Sequence, residues 1–368
     1  MPCRSGNLPY LCDMVDYIIV GSGLAGLAMA ETLQGQGHTV LIYDNLSQKA
    51  SMVAGGLYNP VVLKRLTLAW EASRQMARSI PFYEALQEKL GVEFDEKLPV
   101  MRVLASAREQ NDWFQAADQE GLSEFLVPRI SENTNPCLEA PFGLGEVRHT
   151  GRIHTTRLLE AYRANLSDAG NLRGEAFEHQ HLTPEKGGVR YGEVEARAVV
   201  FCEGFGLQQN PFFNYLPLNG TKGELVRIHA PALRESRVIK SGVFLIPLGE
   251  DRYLVGATYS WKDKSPEPTE AAREEILSKL RKFLRCDFEV EGQQAGIRPT
   301  VPDRRPLVGR HPRFPQLYVL NGLGSRGVLT APYAAQCLSA LILQEIPLPA
   351  AMDCARFSKR FQKLGGNP

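Results

Sequence analysis

The sequence predicts an α/β fold, and three observations carry that prediction. Residues 15–20, V-D-Y-I-I-V, read as a short buried strand, followed by the turn Gly21-Ser22-Gly23-Leu24-Ala25-Gly26 and the helical run L-A-M-A-E-T-L-Q-G-Q-G. A second strand, T-V-L-I-Y, ends at Asp44, and a mid-chain strand, A-V-V-F-C-E-G at 198–204, also stops on a glycine. Near the C-terminus Leu317–Leu320 forms a strand, 321–327 a glycine-rich turn, and Leu329–Leu343 an amphipathic helix. Strands that run through glycine turns into helices belong to Rossmann-like, largely parallel sheets.

In the first turn each glycine has a separate task. Gly21 permits the sharp bend, Gly23 lets a pyrophosphate approach the backbone, and Gly26 lets helix and strand pack closely. The free N–H groups of Ser22, Leu24 and Ala25 and the positive end of the helix then favour phosphate. Asp44, with Asn45 after it, ends the second strand, where an acid accepts hydrogen bonds from an adenosine ribose. No arginine follows Asp44 directly, which disfavours a 2′-phosphate.

Three further segments point to FAD rather than NAD. Ser51 to Pro60, S-M-V-A-G-G-L-Y-N-P, is a small-residue loop suited to lie against a flat ring; its candidate contacts are Ser51, Ala54, Gly55, Gly56, Leu57 and Asn59. The mid-chain strand contributes Glu203 and Gly204, and Phe177 joins this group. The C-terminal turn offers Gly322, Gly324, Ser325, Arg326, Gly327 and Val328, and its helix N-terminus suits the negative charge of a reduced isoalloxazine. Two glycine-rich turns thus hold the two ends of one long cofactor.

Composition sets the remaining bounds. The chain has 368 residues, 43% hydrophobic and 23% charged, with a formal net charge of +1, which argues against a broad nucleic-acid footprint. Seven scattered cysteines show no C-x-x-C spacing and read as free thiols in a reducing cytoplasm. Residues 1–13 read as a disordered leader without a signal-peptide core. No run of eighteen apolar residues is evident, so no membrane span is expected, and no metal-ligand spacing is found.

The order GSGLAG, AGGLYNP, GIRPTVPDRRPLVGRHP and GLGSRGVLTAP, from about Val15 to Leu343, resembles the D-amino-acid oxidase family of flavoproteins. The pairing of G-A-T-Y at 256–259 with G-L-G-S-R-G at 322–327 is most similar to one subgroup, the FAD-dependent half of a bifunctional enzyme that modifies the wobble uridine of tRNA. The methyltransferase half of that enzyme is not expected here. The resemblance implies an FAD-binding domain at 14–67, 146–206 and 294–368, interrupted by a substrate domain with an antiparallel or mixed sheet at 68–145 and 207–293. It also puts Arg298 where the family clamps a substrate carboxylate, a task that suits a guanidinium fork; the alternative is a salt bridge to Asp303. Gly296 stands where one branch carries a flavin-linking cysteine, so noncovalent FAD is implied.

Other candidates leave two readings open. Arg326 either assists a bound anion or faces solvent or phosphate, and Tyr259 either orients substrate or caps a sheet. Tyr58 and Asn59 are placed beside the flavin's pyrimidine edge, His154 reads as a helix cap, and Lys222-Gly223 reads as the turn of a strand. The implied activity is oxidation of the C–N bond of a small amine or amino acid, by hydride transfer to flavin N5 and hydrolysis of the imine. Removal of a carboxymethyl group from tRNA is the nearer alternative, with the basic run R-F-S-K-R-F-Q-K as its one concentrated candidate surface; a non-catalytic FAD-binding electron-transfer partner is the other. Substrate identity, electron acceptor and oligomeric state are not legible.

Overall fold

The structure is a computed structural model that describes residues 14–364, so the expected leader lies outside the described residues. Two eight-stranded sheets dominate it. The first contains, in order, Leu172–Arg173, Val40–Tyr43, Met14–Val20, Val194–Phe201, Gly188–Tyr191 and Leu182–Glu185, with Leu317–Asn321 and Leu307–Arg310 joined alongside. Its central strands pair in parallel: Val20 sits opposite Tyr43 on one side and Phe201 on the other, and Phe201 pairs with Val319. Ile18, Ile19, Val199 and Val200 are wholly buried, as strands covered on both faces must be.

Helix Leu24–Gln34 is apolar nearly all round and is correspondingly buried from Leu24 to Ala30 and at Thr32 and Leu33. It packs with helix Gly327–Gln344 over one face of this sheet. The second of these helices is, among the described residues, the one long and apolar enough to cross a membrane, which the expectation of no such run overlooked. Its apolarity is explained by packing: Val328 to Ala335 are buried, and Ser79 Oγ and Tyr83 OH donate to the carbonyls of Leu329 and Val328.

The second sheet runs Glu289–Arg298, Thr221–His229, Arg252–Gly256, Phe244–Gly249, Val238–Lys240, Val100–Val103, Leu144–Val147 and Leu126–Ser131. All its pairs are antiparallel except Val238–Lys240 with Val100–Val103. Side chains alternate between its faces. Val226, Ile228, Leu245 and Val255 pack on helix Glu270–Leu280, whereas Leu225, Gly256, Phe244 and Lys240, a single cross-strand row, turn toward the other side. Two expected boundaries, 145/146 and 293/294, fall inside strands of this sheet. The pairing of Glu289–Arg298 with Thr221–His229 continues to Thr221 opposite Arg298, so hydrogen bonding carries the strand past the expected break.

Candidate active site

One cavity of about 780 Å³ runs between the two sheets, from the first glycine turn to the row on the second sheet. At the nucleotide end Gly21 has φ +99° and donates its N–H to the Tyr43 carbonyl at 2.8 Å. A Cβ on Gly26 would overlap the Gly21 carbonyl oxygen, so the close turn-to-helix packing does require glycine there. Gly23, Leu24 and Ala25 line the cavity. Ser22 does not: it is buried, and its N–H (2.7 Å) and hydroxyl both donate to Asp44 Oδ2.

Asp44 also accepts the Leu46 N–H at 2.7 Å and is ion-paired with Arg163 at 3.3 Å. Only the Leu46 N–H falls on Oδ1, the other three contacts being on Oδ2, so Oδ1 of this anchored group, which lines the cavity beside Asn45, retains capacity for a ligand hydroxyl. Ser51 accepts the Leu24 N–H at 3.2 Å and so satisfies one orphan donor of the helix N-terminus. On the same side Phe177 stacks on Tyr191 with centroids 4.1 Å apart. Glu203 is held by His179 and Asn210, each at 2.7 Å, and Gly204 (φ +56°) accepts from Asn321.

At the far end Ala54, Gly55, Gly56, Leu57 and Asn59 face Gly324, Ser325, Arg326, Gly327 and Val328 across the cavity. Gly55 packs on Ile246 of the second sheet, so the small-residue loop rests on the floor of the cavity. Gly322 lies behind the lining, with φ +72° and with Val301 and Leu307 where a side chain would sit. Arg326 precedes the first turn of the C-terminal helix and donates to the Asn59 carbonyl at 2.9 Å; burial lowers its pKa. This partly buried seat removes the solvent-facing reading.

Arg298 ends its strand at the cavity wall. Its guanidinium donates to the Thr258 carbonyl at 3.2 Å, lies 5.0 Å from the centre of the Tyr259 ring, and has its pKa lowered by burial. Among the described residues no carboxylate pairs with it; Asp303, the alternative partner, pairs instead with Arg356 at 3.0 Å. The guanidinium occupies the space above Gly223, where a Cβ would overlap it. Lys222-Gly223 is therefore the interior of a strand and not a turn. Lys222 points the other way, 1% exposed, into Asp263 (2.6 Å) and Glu224 (3.6 Å).

Tyr259 is 43% exposed and edge-on to Trp261, so it does not cap a sheet. Tyr58 is buried away from the cavity, its hydroxyl donating to Asp95 at 2.8 Å, because alternation in its two-residue strand turns it opposite to Leu57. His154 makes no capping bond and pairs with Glu96 at 3.1 Å. Sequence reasoning missed Arg163, Lys240 and Phe244, which follow no local motif and reach the site through the tertiary fold, and read Gly223 only as a turn. Among the described residues no group of His, Cys, Asp and Glu is arranged to hold a metal.

A long slot with a helix N-terminus and a spare carboxylate at one end, and a second helix N-terminus at the other, fits a dinucleotide with an extended ring. Comparison with known proteins agrees. The family of FAD dependent oxidoreductases (DAO) matches residues 16–341. The chain is 24% identical to the tRNA 5-methylaminomethyl-2-thiouridine biosynthesis bifunctional protein MnmC of Haemophilus ducreyi over 92% of its own length, but spans only 57% of that relative. It is also 24% identical to glycine oxidase of Pseudomonas aeruginosa, covering 90% of this chain and 95% of that one. Its fold superposes on the crystal structure of glycine oxidase from Bacillus cereus with a TM-score of 0.74 at 23% identity, covering 90% and 96% of the two chains.

Proposed function

The chain belongs to the FAD-dependent oxidoreductases of the DAO family, and from that premise we propose that it oxidises the C–N bond of a small α-amino acid or N-substituted glycine. The observation that carries the reading is Arg298: a partly buried guanidinium with no carboxylate partner among the described residues, facing the cavity. Burying such a charge is costly unless a counter-ion completes it. A substrate carboxylate docked by two charge-assisted hydrogen bonds supplies that counter-ion and fixes the adjacent Cα–H and amine. Gly21–Gly26, Asp44, the 54–59 loop and 324–328 would hold FAD, which when bound supplies the hydride acceptor. Tyr259 packs against the Arg298 guanidinium and limits its rotamers, while Arg326 adds positive charge at the far helix terminus. No side chain is required as a base if the amine arrives neutral.

A second reading, a carboxymethylamino group carried on a tRNA base, draws support from the bifunctional relatives and from the exposed Tyr259–Trp261 pair beside the cavity, a surface on which a base can stack. The test is anaerobic bleaching of the protein-bound flavin with glycine, sarcosine, D- and L-amino acids, and carboxymethylaminomethyl-modified tRNA. Bleaching by a free amino acid, lost in Arg298→Ala with FAD retained, supports the first reading. Bleaching by the modified tRNA alone overturns it in favour of the second.

A further inference from the structure

The cavity is electrically lopsided. Among the described residues its lining carboxylates, Asp44, Glu175, Glu178 and Glu203, all belong to the nucleotide end, while the end floored by the second sheet has Arg298, Arg326, Lys64 and Lys240 and no acid. A single substrate carboxylate matches Arg298 alone. Arg326 is engaged by a carbonyl, and Lys64 is exposed at the edge. Lys240 is different: it is partly buried in the wall and makes no ion pair among the described residues.

Its ammonium lies 4.9 Å from the centre of the Phe244 ring and otherwise donates to the carbonyl of the next residue, Ser241. The charged groups around it make its position worse. Arg102, on the neighbouring strand, is satisfied by Glu109 at 3.1 Å, and Lys279, on helix Glu270–Leu280, by Glu275. Burial and these two cations push the Lys240 pKa down to about 8. A hydrophobic residue would serve packing here without that penalty, so packing alone does not account for the cation.

Lys240, Phe244, Gly256 and Leu225 form one cross-strand row on the face that also bears Gly223 and the Arg298 guanidinium above it. Lys240 reaches over Phe244, which lies two strands across and two residues along from Gly223 beneath the Arg298 guanidinium, or roughly 12 Å at about 4.8 Å per strand and about 3.3 Å per residue. Charge-assisted hydrogen bonds of about 2.8 Å at each end leave room for a spacer of about three or four carbons between two carboxylates.

We infer that Lys240 binds a second carboxylate of the substrate, so that the amine oxidised is an acidic amino acid or other amino diacid. This rests on the C–N oxidation proposed above and names the substrate class for the same site. The test separates the two claims by binding. FAD-loaded protein is titrated with acetate and butyrate, then succinate, glutarate and adipate, and flavin absorbance reports occupancy without turnover; reduction by glycine, aspartate and glutamate, each D and L where chiral, is followed in parallel.

Monocarboxylate binding lost in Arg298→Ala reads the clamp. The ratio of dicarboxylate to monocarboxylate affinity reads Lys240. That ratio is expected to be roughly tenfold or more for the best spacer, to collapse in Lys240→Met, and to recover in part in Lys240→Arg. Lys240→Met keeps an unbranched apolar stem one atom shorter and removes a desolvated charge with its bond to the Ser241 carbonyl, and Lys240→Arg controls for the lost contacts. Dicarboxylates that bind no better than monocarboxylates, or a preference that survives Lys240→Met, overturns the inference while leaving the clamp intact. A Lys240→Met defect confined to tRNA binding overturns it as well.

Discussion

Gly223→Ala is the sharpest test of how the site is built, because the new methyl group would meet the end of a side chain rather than backbone. The Cβ would overlap Nη1, Nη2 and Cζ of Arg298, and relief to an ordinary contact of about 3.5 Å requires the guanidinium to move by roughly 1.5 Å. Hydrogen bonds to a carboxylate tolerate a window of only about 0.5 Å, so the clamp opens. Two charge-assisted bonds are weakened, and misplacement on this scale costs about 10²-fold, or ~2.7 kcal/mol, in kcat/KM. Stability changes little: the loss is the Arg298–Thr258 hydrogen bond, about 1 kcal/mol. The assay is the rate of anaerobic flavin reduction, with flavin content and Tm measured on the same preparation. Wild-type reduction in Gly223→Ala, beside a dead Arg298→Ala, refutes the working position assigned to the guanidinium. Loss of FAD or unfolding refutes the claim that the side chain yields.

Two other perturbations have different expected signatures. In Gly26→Ala the methyl group meets the Gly21 carbonyl, which is backbone and cannot swing away, so the protein should purify with little or no flavin and lose about 1–3 kcal/mol, read by absorbance and urea unfolding. His311 is buried among Phe213, Phe314 and Phe361, with Nδ1 accepting the Arg313 and Phe314 N–H groups, and burial lowers its pKa to about 4. The unfolded chain takes up that proton near pH 6.5 and the folded one only near 4. The stability present above pH 6.5 is therefore lost as pH falls across that interval, up to about 3 kcal/mol, and His311→Asn should flatten that acid slope in urea titrations.

The nucleotide half of the site is legible because its chemistry is local. Gly21 and Gly26 are needed at their spacing by the turn itself, Gly23 lines the cavity between them, and Asp44 follows the end of the next strand, so contiguous residues report the geometry. Even there, the residue that anchors Asp44 escapes notice: Arg163 comes from a helix more than a hundred positions away. Tyr58 went astray for a similar reason, since which face of a two-residue strand is buried depends on its partner, Gly151–Ile153.

The sequence by itself determined the α/β class, the two glycine-rich turns and the family, because these depend on φ angles, close approaches and residue order within short windows. It also singled out Arg298, through the resemblance of the segment around it to the family's pattern. Only the tertiary structure decided that, among the described residues, Arg298 has no carboxylate partner, that Gly223 makes room for it, and that Lys222 is buried in structural ion pairs while Lys240 is not. Those distinctions depend on which strand lies beside which, and on the side of a sheet to which alternation turns each residue. Pairing register sets both, and no short stretch of sequence contains it.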